Sequence, residues 1–389
     1  MSIRGKAFIA GAYEHPLREI PDSTVAEIHA QVAVGALADA GLALSDVDAY
    51  FCDSMAPGLG GLGMAEYLGL RCRYTDTTET GGSSYIAHVG HAAAAVAAGK
   101  CDVALITLAG KPRTGGGAAG VGEVFRSAPE AAFELVWGAT IPANYALAAR
   151  RHMHEFGTTS AQLAEIKVAA SLHAQHNPNA LLRAPVTVEQ VLDSPMVADP
   201  LHRLDCCVIT DGGGALVVVR PEIARDLART CVNVLGHGEA IKHTDNGRVD
   251  LTYTGAVWSG PAAFAEAGVT PADIDYASIY DSFTITVLET IEDLGFCAKG
   301  EGGRFVMDGA LVAPFGRLPI NTDGGGLCNN HPANRGGMTK VIEAVRQLRG
   351  EANAPVQVPD CEFALAHGTG GTLSTRMGSA TVILGRADT

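Results

Sequence analysis

The stretch LADAGLALSDVDAY (residues 37–50) returns at a constant offset of 227 residues as FAEAGVTPADIDYA (264–277). In both copies an apolar helical stretch ends at a glycine, a short turn carries an aspartate, and an apolar strand begins. A glycine directly after a helix adopts the left-handed conformation that ends it. The sequence therefore predicts the same helix–turn–strand unit twice.

Two further similarities occur in the same order along the chain. GKCDVALITLAG (99–110) resembles PDCEFALAHGTG (359–370), with an acidic residue after the cysteine and an apolar strand that runs into glycines. KAFIAGA (6–12) resembles VNVLGHG (232–238) as a first strand. One such agreement could arise by chance, whereas three in the same order indicate an internal duplication.

Helices alternate with short, continuously apolar strands, which is typical of a parallel or mixed sheet covered on both faces. We predict helices over 24–41 and 86–98, and strands over 48–54 and 102–109. The first half of the duplication comprises 1–110 and 206–230, and the second half comprises 231–389. Residues 111–205 have no counterpart of that length, so we predict an inserted loop domain with helices at 141–156 and 160–174. Long insertions of this kind are commonly functional.

Composition argues against several classes of function. A formal net charge of −14 disfavours general affinity for nucleic acids. No apolar run reaches the roughly 18 residues of a membrane span, and the N-terminal segment lacks the apolar core of a signal peptide. The nine cysteines form no Cys-x-x-Cys pair. We therefore expect a cytoplasmic protein with reduced thiols, no metal site and no membrane contact.

The turn TETGGSSY (78–85) leads into an alanine-rich helix. Free backbone N–H groups and the positive end of the helix dipole make such a turn suitable for an anion or a nucleophile. Ser83 and Ser84 supply hydroxyl groups in this turn, and a resemblance to a known family, carried by this and other stretches, implies Gly82 and Gly368 of AHGTGG as further candidates for oxyanion binding.

The turn and several other stretches together resemble the thiolase fold. The resemblance is to the sterol-carrier-protein type thiolases and the thiolase-like lipid-transfer proteins. It implies an α/β protein of two duplicated βαβαβαββ halves in five layers, α-β-α-β-α, with an inserted loop domain, and a homodimer. The further stretches that carry it are RRHMHEFGTTSAQLAEI (150–166), PLHRLDCCVITDGGGALVV (200–218), IYDSFTITVLETIEDLGFCAKGEGG (279–303), LPINTDGGGLCNNHP (318–332) and AHGTGG (366–371).

The first catalytic loop of thiolases carries a nucleophilic cysteine within Glu-x-x-Cys-x-Ser. Glu79 and Ser84 match this pattern, but Gly82 takes the place of the cysteine. Ser83, one position further on, is either a poor nucleophile without a dedicated base or a helix-capping residue. The resemblance therefore implies a nucleophile site that has lost its nucleophile.

The other three loops supply the remaining candidates. Tyr280 takes the place of the Asn or His that begins the second loop, and it is either a proton-transfer group or a core residue. His331 matches the histidine of the third loop, and its titration range suits proton transfer. In the fourth loop either His367 or Gly368 takes the place of a second cysteine. Asn329 stands where related aldolases have a tyrosine.

Without a thiolate, ordinary Claisen chemistry is excluded, while a thioester enolate can still be stabilised. We therefore expect retro-aldol cleavage of a β-hydroxyacyl-CoA, of the kind that shortens steroid side chains. Tyr280 would act as the base on the β-hydroxyl, His331 as the acid to the enolate, and His367 as a donor to the thioester oxygen. The substrate brings its own CoA and no cofactor is expected.

The resemblance also implies a small partner protein made of an OB-fold and a zinc ribbon. Two alternatives remain open at this point. The chain could be an acyltransferase that works without covalent catalysis, in which case Ser83 would matter. It could also be a non-catalytic subunit that binds acyl-CoA or lipid.

Overall fold

The computed structural model describes residues 2–115, 136, 140–243, 245, 248–332, 336–371 and 377–389. Its strands are β1 (Phe8–Glu14), β2 (Ala49–Phe51), β3 (Tyr74–Asp76), β4 (Val103–Gly110), β5 (Met196–Ala198), β6 (Leu201–His202), β7 (Gly212–Val219), β8 (Val232–Lys242), β9 (Tyr276–Ile279), β10 (Phe363–Gly371) and β11 (Met377–Gly385). Its helices are α1 (Val25–Ala40), α2 (Gly61–Leu68), α3 (Ser84–Ala97), α4 (Ile141–Phe156), α5 (Ser160–Ala174), α6 (Val188–Leu192), α7 (Pro221–Asp226), α8 (Ala256–Ala267), α9 (Thr284–Asp293), α10 (Gly302–Phe305) and α11 (Gly337–Arg349).

Nine of these strands form one sheet in the order β3-β2-β4-β7-β1-β8-β11-β10-β9, and β5 pairs with β6. The halves repeat the same pattern. β2 is parallel to β4, which is antiparallel to β7, and β9 is parallel to β10, which is antiparallel to β11. β1 and β8 join the two halves through a short antiparallel contact. In the second half, the third strand is represented by a single bridge between Ala277 and Ile320.

The duplicated helix–turn–strand unit is confirmed. α1 ends at Gly41, with φ of 73°, and α8 ends at Gly268, with φ of 68°. Each glycine is followed by a short 3-10 turn and then by β2 or β9. The second similarity is confirmed as well, because its two copies are β4 and β10. The left-handed glycine thus ends the helix and directs the chain into the sheet in both halves.

The elements stack in the predicted five layers. α3 and α11 lie together in the middle, and one apolar core joins them to strands of both halves. α1 covers the outer face of the first half of the sheet, and α8 covers the outer face of the second half. Strand glycines bring the outer helices close: a Cβ atom on Gly11 would lie 2.1 Å from the Ala36 carbonyl oxygen, and one on Gly236 would lie 2.3 Å from that of Ala263.

The inserted segment contains the two predicted helices, found as α4 and α5. Both pack against α9 of the second half. Most of the glycine-rich stretch RTGGGAAGVG (113–122) lies outside the described residues, and the domain boundaries remain predictions. Within the described part of the chain, no helix is both long and apolar enough to cross a bilayer.

We predict that Gly11→Ala lowers the thermal midpoint of unfolding by several degrees, because the new methyl group has no space beside α1. Overpacking of this kind costs about 1–3 kcal/mol. Gly5→Asn is the control: nothing lies within 4 Å of a Cβ at Gly5, whose φ is 68°, and asparagine tolerates that backbone conformation. Equal midpoints for the two variants, measured by circular dichroism, would contradict the layer packing described above.

Candidate active site

Two side chains from different loops of the second half meet in the interior. Tyr280 directly follows β9, where its backbone N–H donates to the carbonyl of His367 at 3.0 Å. Its hydroxyl lies 2.8 Å from Nε2 of His331. Tyr280 is 4% exposed and His331 is 8% exposed. The structure therefore brings together two of the three predicted catalytic side chains.

Burial keeps both groups uncharged. It raises the pKa of Tyr280 well above its usual value, because the phenolate would lose its hydration, and the nearby Tyr145 and Cys207 add to this effect. Burial lowers the pKa of His331 to about 4. At neutral pH the phenol is thus protonated and the imidazole is neutral, and in the tautomer with its proton on Nδ1, Nε2 of His331 accepts from the Tyr280 O–H.

The predicted empty nucleophile position is occupied by the Tyr280 ring. A Cβ atom on Gly82 would lie 2.5 Å from that ring and 2.3 Å from the carbonyl oxygen of Thr369. Real Cβ atoms do not approach other atoms so closely. A cysteine at residue 82 and the observed Tyr280 are therefore mutually exclusive without a shift of the backbone.

Ser83 and Ser84 stabilise the turn but do not cap α3. The Ser83 hydroxyl donates to the carbonyl of Thr80 at 2.8 Å, and Ser84 Oγ accepts the Thr80 N–H at 2.8 Å. Ser83 occupies the N-cap position of α3 without making a capping hydrogen bond. The capping interpretation of Ser83 is therefore wrong. Its hydroxyl points back into the turn, and among the described residues it bonds to the carbonyl and the hydroxyl of Thr80.

The structure separates His367 from the other two candidates. Its Nδ1 lies 2.8 Å from Thr381 Oγ1, its Nε2 lies 3.4 Å from Ser379 Oγ, and burial lowers its pKa to about 3. Gly368 lies on the other face of β10, where a Cβ atom would be 2.8 Å from the Gly82 carbonyl oxygen. Since side chains alternate along a strand, Gly368 faces the turn and the imidazole of His367 faces away from it.

A buried ion pair fixes the two loops that carry Tyr280 and His331. The Asp281 carboxylate accepts the N–H groups of Gly326 and Leu327 at 2.8 and 3.1 Å. Lys340 of α11 donates to the same carboxylate at 2.6 Å, and both side chains are almost fully buried. The sequence reasoning missed Lys340, since nothing in its local sequence distinguishes it from other helical lysines.

Asn329 belongs to a polar network on the far side of the loop. Its Oδ1 accepts from Arg18 Nε and Nη2 at 3.1 and 2.8 Å, and its Nδ2 donates to Asp323 at 2.8 Å. Arg18 also pairs with Glu14 at 2.8 Å. Asn329, at the position where the resemblance leads one to expect a tyrosine, is thus part of a structural hydrogen-bond network. Arg18 and Glu14 could not be identified from the sequence.

The segment that leaves the inserted region crosses both catalytic loops. Cys207 N–H donates to the Ser282 carbonyl at 2.9 Å, and Val208 N–H donates to the Gly326 carbonyl at 2.9 Å. Further on, Thr210 Oγ1 accepts the N–H of His331 at 2.9 Å. Burial raises the pKa of the Cys207 thiol far above its usual value, which disfavours the nucleophilic thiolate form.

Among the described residues, no group of three or more His, Cys, Asp or Glu side chains is arranged so that it could hold a metal ion.

The sequence is similar to that of known proteins along nearly its whole length. A family model described as thiolase C-terminal domain-like matches residues 205–386. An acetyl-CoA acetyltransferase of Methanothermobacter thermautotrophicus is 34% identical over 94% of this chain and 97% of its own length. The chain belongs to the thiolase superfamily.

Two further relatives narrow the branch. A steroid side-chain-cleaving aldolase of Thermomonospora curvata is 36% identical over 91% of this chain and 93% of its own length. The structure described as Ltp2-ChsH2(DUF35) aldolase matches with a TM-score of 0.89 and 32% identity, over 99% of this chain and 98% of that chain. Within the superfamily, this thiolase-like chain therefore falls in the sterol-carrier-protein type branch, where the resemblance had placed it.

The exclusion between Gly82 and Tyr280 can be measured. We predict that Gly82→Ala lowers the free energy of unfolding by about 1–3 kcal/mol, because its methyl group meets the Tyr280 ring and the Thr369 carbonyl. In a Tyr280→Asn background the same substitution should cost less, with a coupling of at least about 0.5 kcal/mol in a double-mutant cycle. Strictly additive effects in urea unfolding would show that the ring and residue 82 do not compete.

Proposed function

We propose that this thiolase-superfamily enzyme cleaves a β-hydroxyacyl-CoA by a retro-aldol reaction. The products are a ketone or an aldehyde and a shorter acyl-CoA. The observation that carries the proposal is the Tyr280–His331 hydrogen bond of 2.8 Å at the position where a nucleophile is sterically excluded. The names of the aldolase relatives support the same reaction class.

The protonation states define how the pair acts. A protonated Tyr280 cannot remove the β-hydroxyl proton unless it gives up its own proton at the same time, and His331 Nε2 is placed to accept that proton. The Cα–Cβ bond then breaks, the carbonyl product forms, and the electron pair remains on the thioester enolate. His331 returns the proton through Tyr280 to Cα. Every proton and electron is accounted for, and no cofactor is required.

The enolate oxygen needs donors that are already in place. The turn at Gly82 and Ser83 presents backbone N–H groups at the start of α3, where the helix dipole favours negative charge. Gly368 packs directly against this turn, where a Cβ atom would lie 2.8 Å from the Gly82 carbonyl oxygen, so a side chain at residue 368 would displace the turn. We assign the thioester oxygen to this turn and not to His367, whose imidazole bonds to Thr381.

The substrate class and the partners follow from the relatives and from the surface. We propose that the acyl group of the substrate is steroid-derived and branched at its β-carbon. We also propose a small partner protein made of an OB-fold and a zinc ribbon, in line with the name of the Ltp2-ChsH2(DUF35) aldolase.

We also propose that the protein forms a homodimer through the edge strand β3. Beside this strand, Met55, Leu59 and Leu62 are 69%, 83% and 70% exposed. A cytoplasmic location suits the free thiols of the chain.

The direct test is a mass-spectrometric assay with a panel of branched β-hydroxyacyl-CoAs, including steroid-derived ones. The purified protein is tested alone and together with its small zinc-ribbon partner. We expect a ketone or aldehyde and a shorter CoA thioester in equal amounts. Binding of every acyl-CoA without cleavage in either arrangement would indicate a carrier and overturn the proposal.

Three substitutions together distinguish the aldolase from the acyltransferase alternative. Tyr280→Phe keeps the ring and removes only the hydroxyl, and we predict that it and His331→Gln lower kcat at least about 100-fold, as expected for lost acid–base catalysis. Ser83→Ala is the matched control, since its hydroxyl bonds only within the turn, and kcat should change less than about threefold. Loss of turnover in Ser83→Ala would favour acyl transfer.

The pH dependence should reflect the low pKa of His331. Because burial holds that pKa at about 4, kcat/KM should stay constant from pH 8 to about 5 and fall only near pH 4.

The stability of the fold should depend on pH in the same range. His88, His173 and His237 also have pKa values lowered to about 4 by burial. The unfolded state therefore binds more protons below pH 6.5, and stability, full above that pH, is lost as the pH falls towards 4.

The folded fraction must accordingly be measured by circular dichroism at every pH, so that acid unfolding is separated from titration of the site. A fall of kcat/KM centred near pH 6.5 in fully folded protein would contradict the assignment of neutral, buried His331 as the proton acceptor.

A further inference from the structure

Thr210 is a fully buried residue that precedes β7 and touches the His331 loop at three consecutive positions. Its Oγ1 accepts the backbone N–H of His331 at 2.9 Å. The same hydroxyl donates to Asn330 Oδ1 at 2.7 Å. Its backbone forms a parallel bridge with Pro332. Both hydrogen-bonding functions of the hydroxyl are therefore used by residues 330 and 331.

The side chain of Asn330, to which Thr210 donates, is itself held in place by a buried carboxylate. Its Nδ2 donates to Glu14 Oε1 at 2.8 Å. Glu14 is buried, and its charge is balanced by Arg18 at 2.8 Å and Arg346 at 3.2 Å. These two arginines hold the pKa of Glu14 below its usual value against the opposing effect of burial, so the anchor stays charged and in place.

The contact also crosses the duplication. Glu14 ends β1 and Thr210 precedes β7, both in the first half, whereas His331 lies in the second half between β9 and α11. The proposed catalytic pair is carried entirely by the second half, and its imidazole loop is fastened to the first half by several contacts, among which the Thr210 hydroxyl bonds directly to the backbone of His331. A shift between the halves at this point would move His331 relative to Tyr280.

We propose that Thr210 is a positioning residue for the aldol reaction, whose hydroxyl fixes the His331 backbone so that Nε2 stays within 2.8 Å of the Tyr280 hydroxyl. This inference rests on the proposed function. Proton transfer within the pair is sensitive to distance, and a displacement of about 1 Å can cost about 100-fold in rate. Thr210 does not bond to either reacting side-chain atom, so binding of the acyl-CoA should be little affected.

The test compares Thr210→Val, which keeps the shape and removes the hydroxyl, with Thr210→Ser, which restores the hydroxyl. We expect Thr210→Val to lower kcat about 10- to 100-fold with KM within about threefold of wild type. Thr210→Ser should recover at least a third of wild-type kcat. A protein in which Thr210 serves only folding would show parallel losses of folded yield without this split between kcat and KM.

Thr107→Val is the matched control. Thr107 is equally buried, and its Oγ1 bonds to Tyr50 Oη at 2.6 Å and His29 Nδ1 at 2.8 Å in the first half, away from the site. The Thr107→Val substitution removes the same kind of buried hydroxyl as Thr210→Val, so it should lower the thermal midpoint of unfolding without changing kcat. If Thr210→Val does not fold, Asn330→Ala removes the acceptor of the Thr210 hydroxyl, and about a fivefold loss of kcat is then expected.

A second measurement does not depend on turnover. In protein with 15N-labelled histidine, the Nε2 signal of His331, assigned through His331→Gln, reports the hydrogen bond from Tyr280. It should move towards the unbonded value in Thr210→Val, or in Asn330→Ala if that variant replaces it, and stay unchanged in Thr210→Ser and Thr107→Val.

An unchanged signal together with unchanged kcat would overturn the role of Thr210 while leaving the aldolase proposal intact. If the wild type cleaves no substrate, the proposed function fails, and the nitrogen shift alone decides whether Thr210 positions His331.

Discussion

The Tyr280 ring and a side chain on residue 82 cannot occupy the same space, and the arrangement of the site depends on this exclusion. With the ring in place, no side chain can stand at residue 82, although the N–H groups of the turn remain. The ring carries its hydroxyl into a dry interior, where the phenol stays neutral and needs a hydrogen-bond acceptor. His331 meets that need at 2.8 Å. A neutral hydrogen-bonded pair thus lies beside the position that the resemblance assigns to a nucleophile.

A buried pair must be held by groups that are themselves satisfied. The Asp281–Lys340 ion pair costs hydration, and the backbone N–H groups of Gly326 and Leu327 complete the shell of the carboxylate. Removing one partner would leave an unpaired charge beneath both loops. Lys340 also lies on α11, whose first residues approach Gly82, so the same contact ties the position of this central helix to the catalytic loops.

The fold was predictable because its signals are local and repeated. Gly41 and Gly268 end equivalent helices in the two halves. The recurrence of this signal at a constant offset is what indicates the duplication. The site was only partly predictable. His367 and Gly368 are neighbours on one strand, so one of them must face away from the turn, and the sequence could not tell which. Asn329 bonds to Arg18, which lies 311 positions away in the chain. No local sequence pattern predicts such a contact.

The duplication explains why the site is asymmetric. The offset that relates the two halves places Asp53 opposite Tyr280, each just after a strand of the sheet. Asp53 accepts a hydrogen bond from Tyr85 of α3 and thereby fixes a central helix of its own half. Tyr280 instead extends to Gly82 at the beginning of that same helix and bonds to His331. Both strand ends therefore contact the N-terminal end of α3, Asp53 through Tyr85 and Tyr280 through Gly82 just before the helix begins. In the proposed reaction the second half supplies the reacting side chains, and Thr210 of the first half holds the loop of His331.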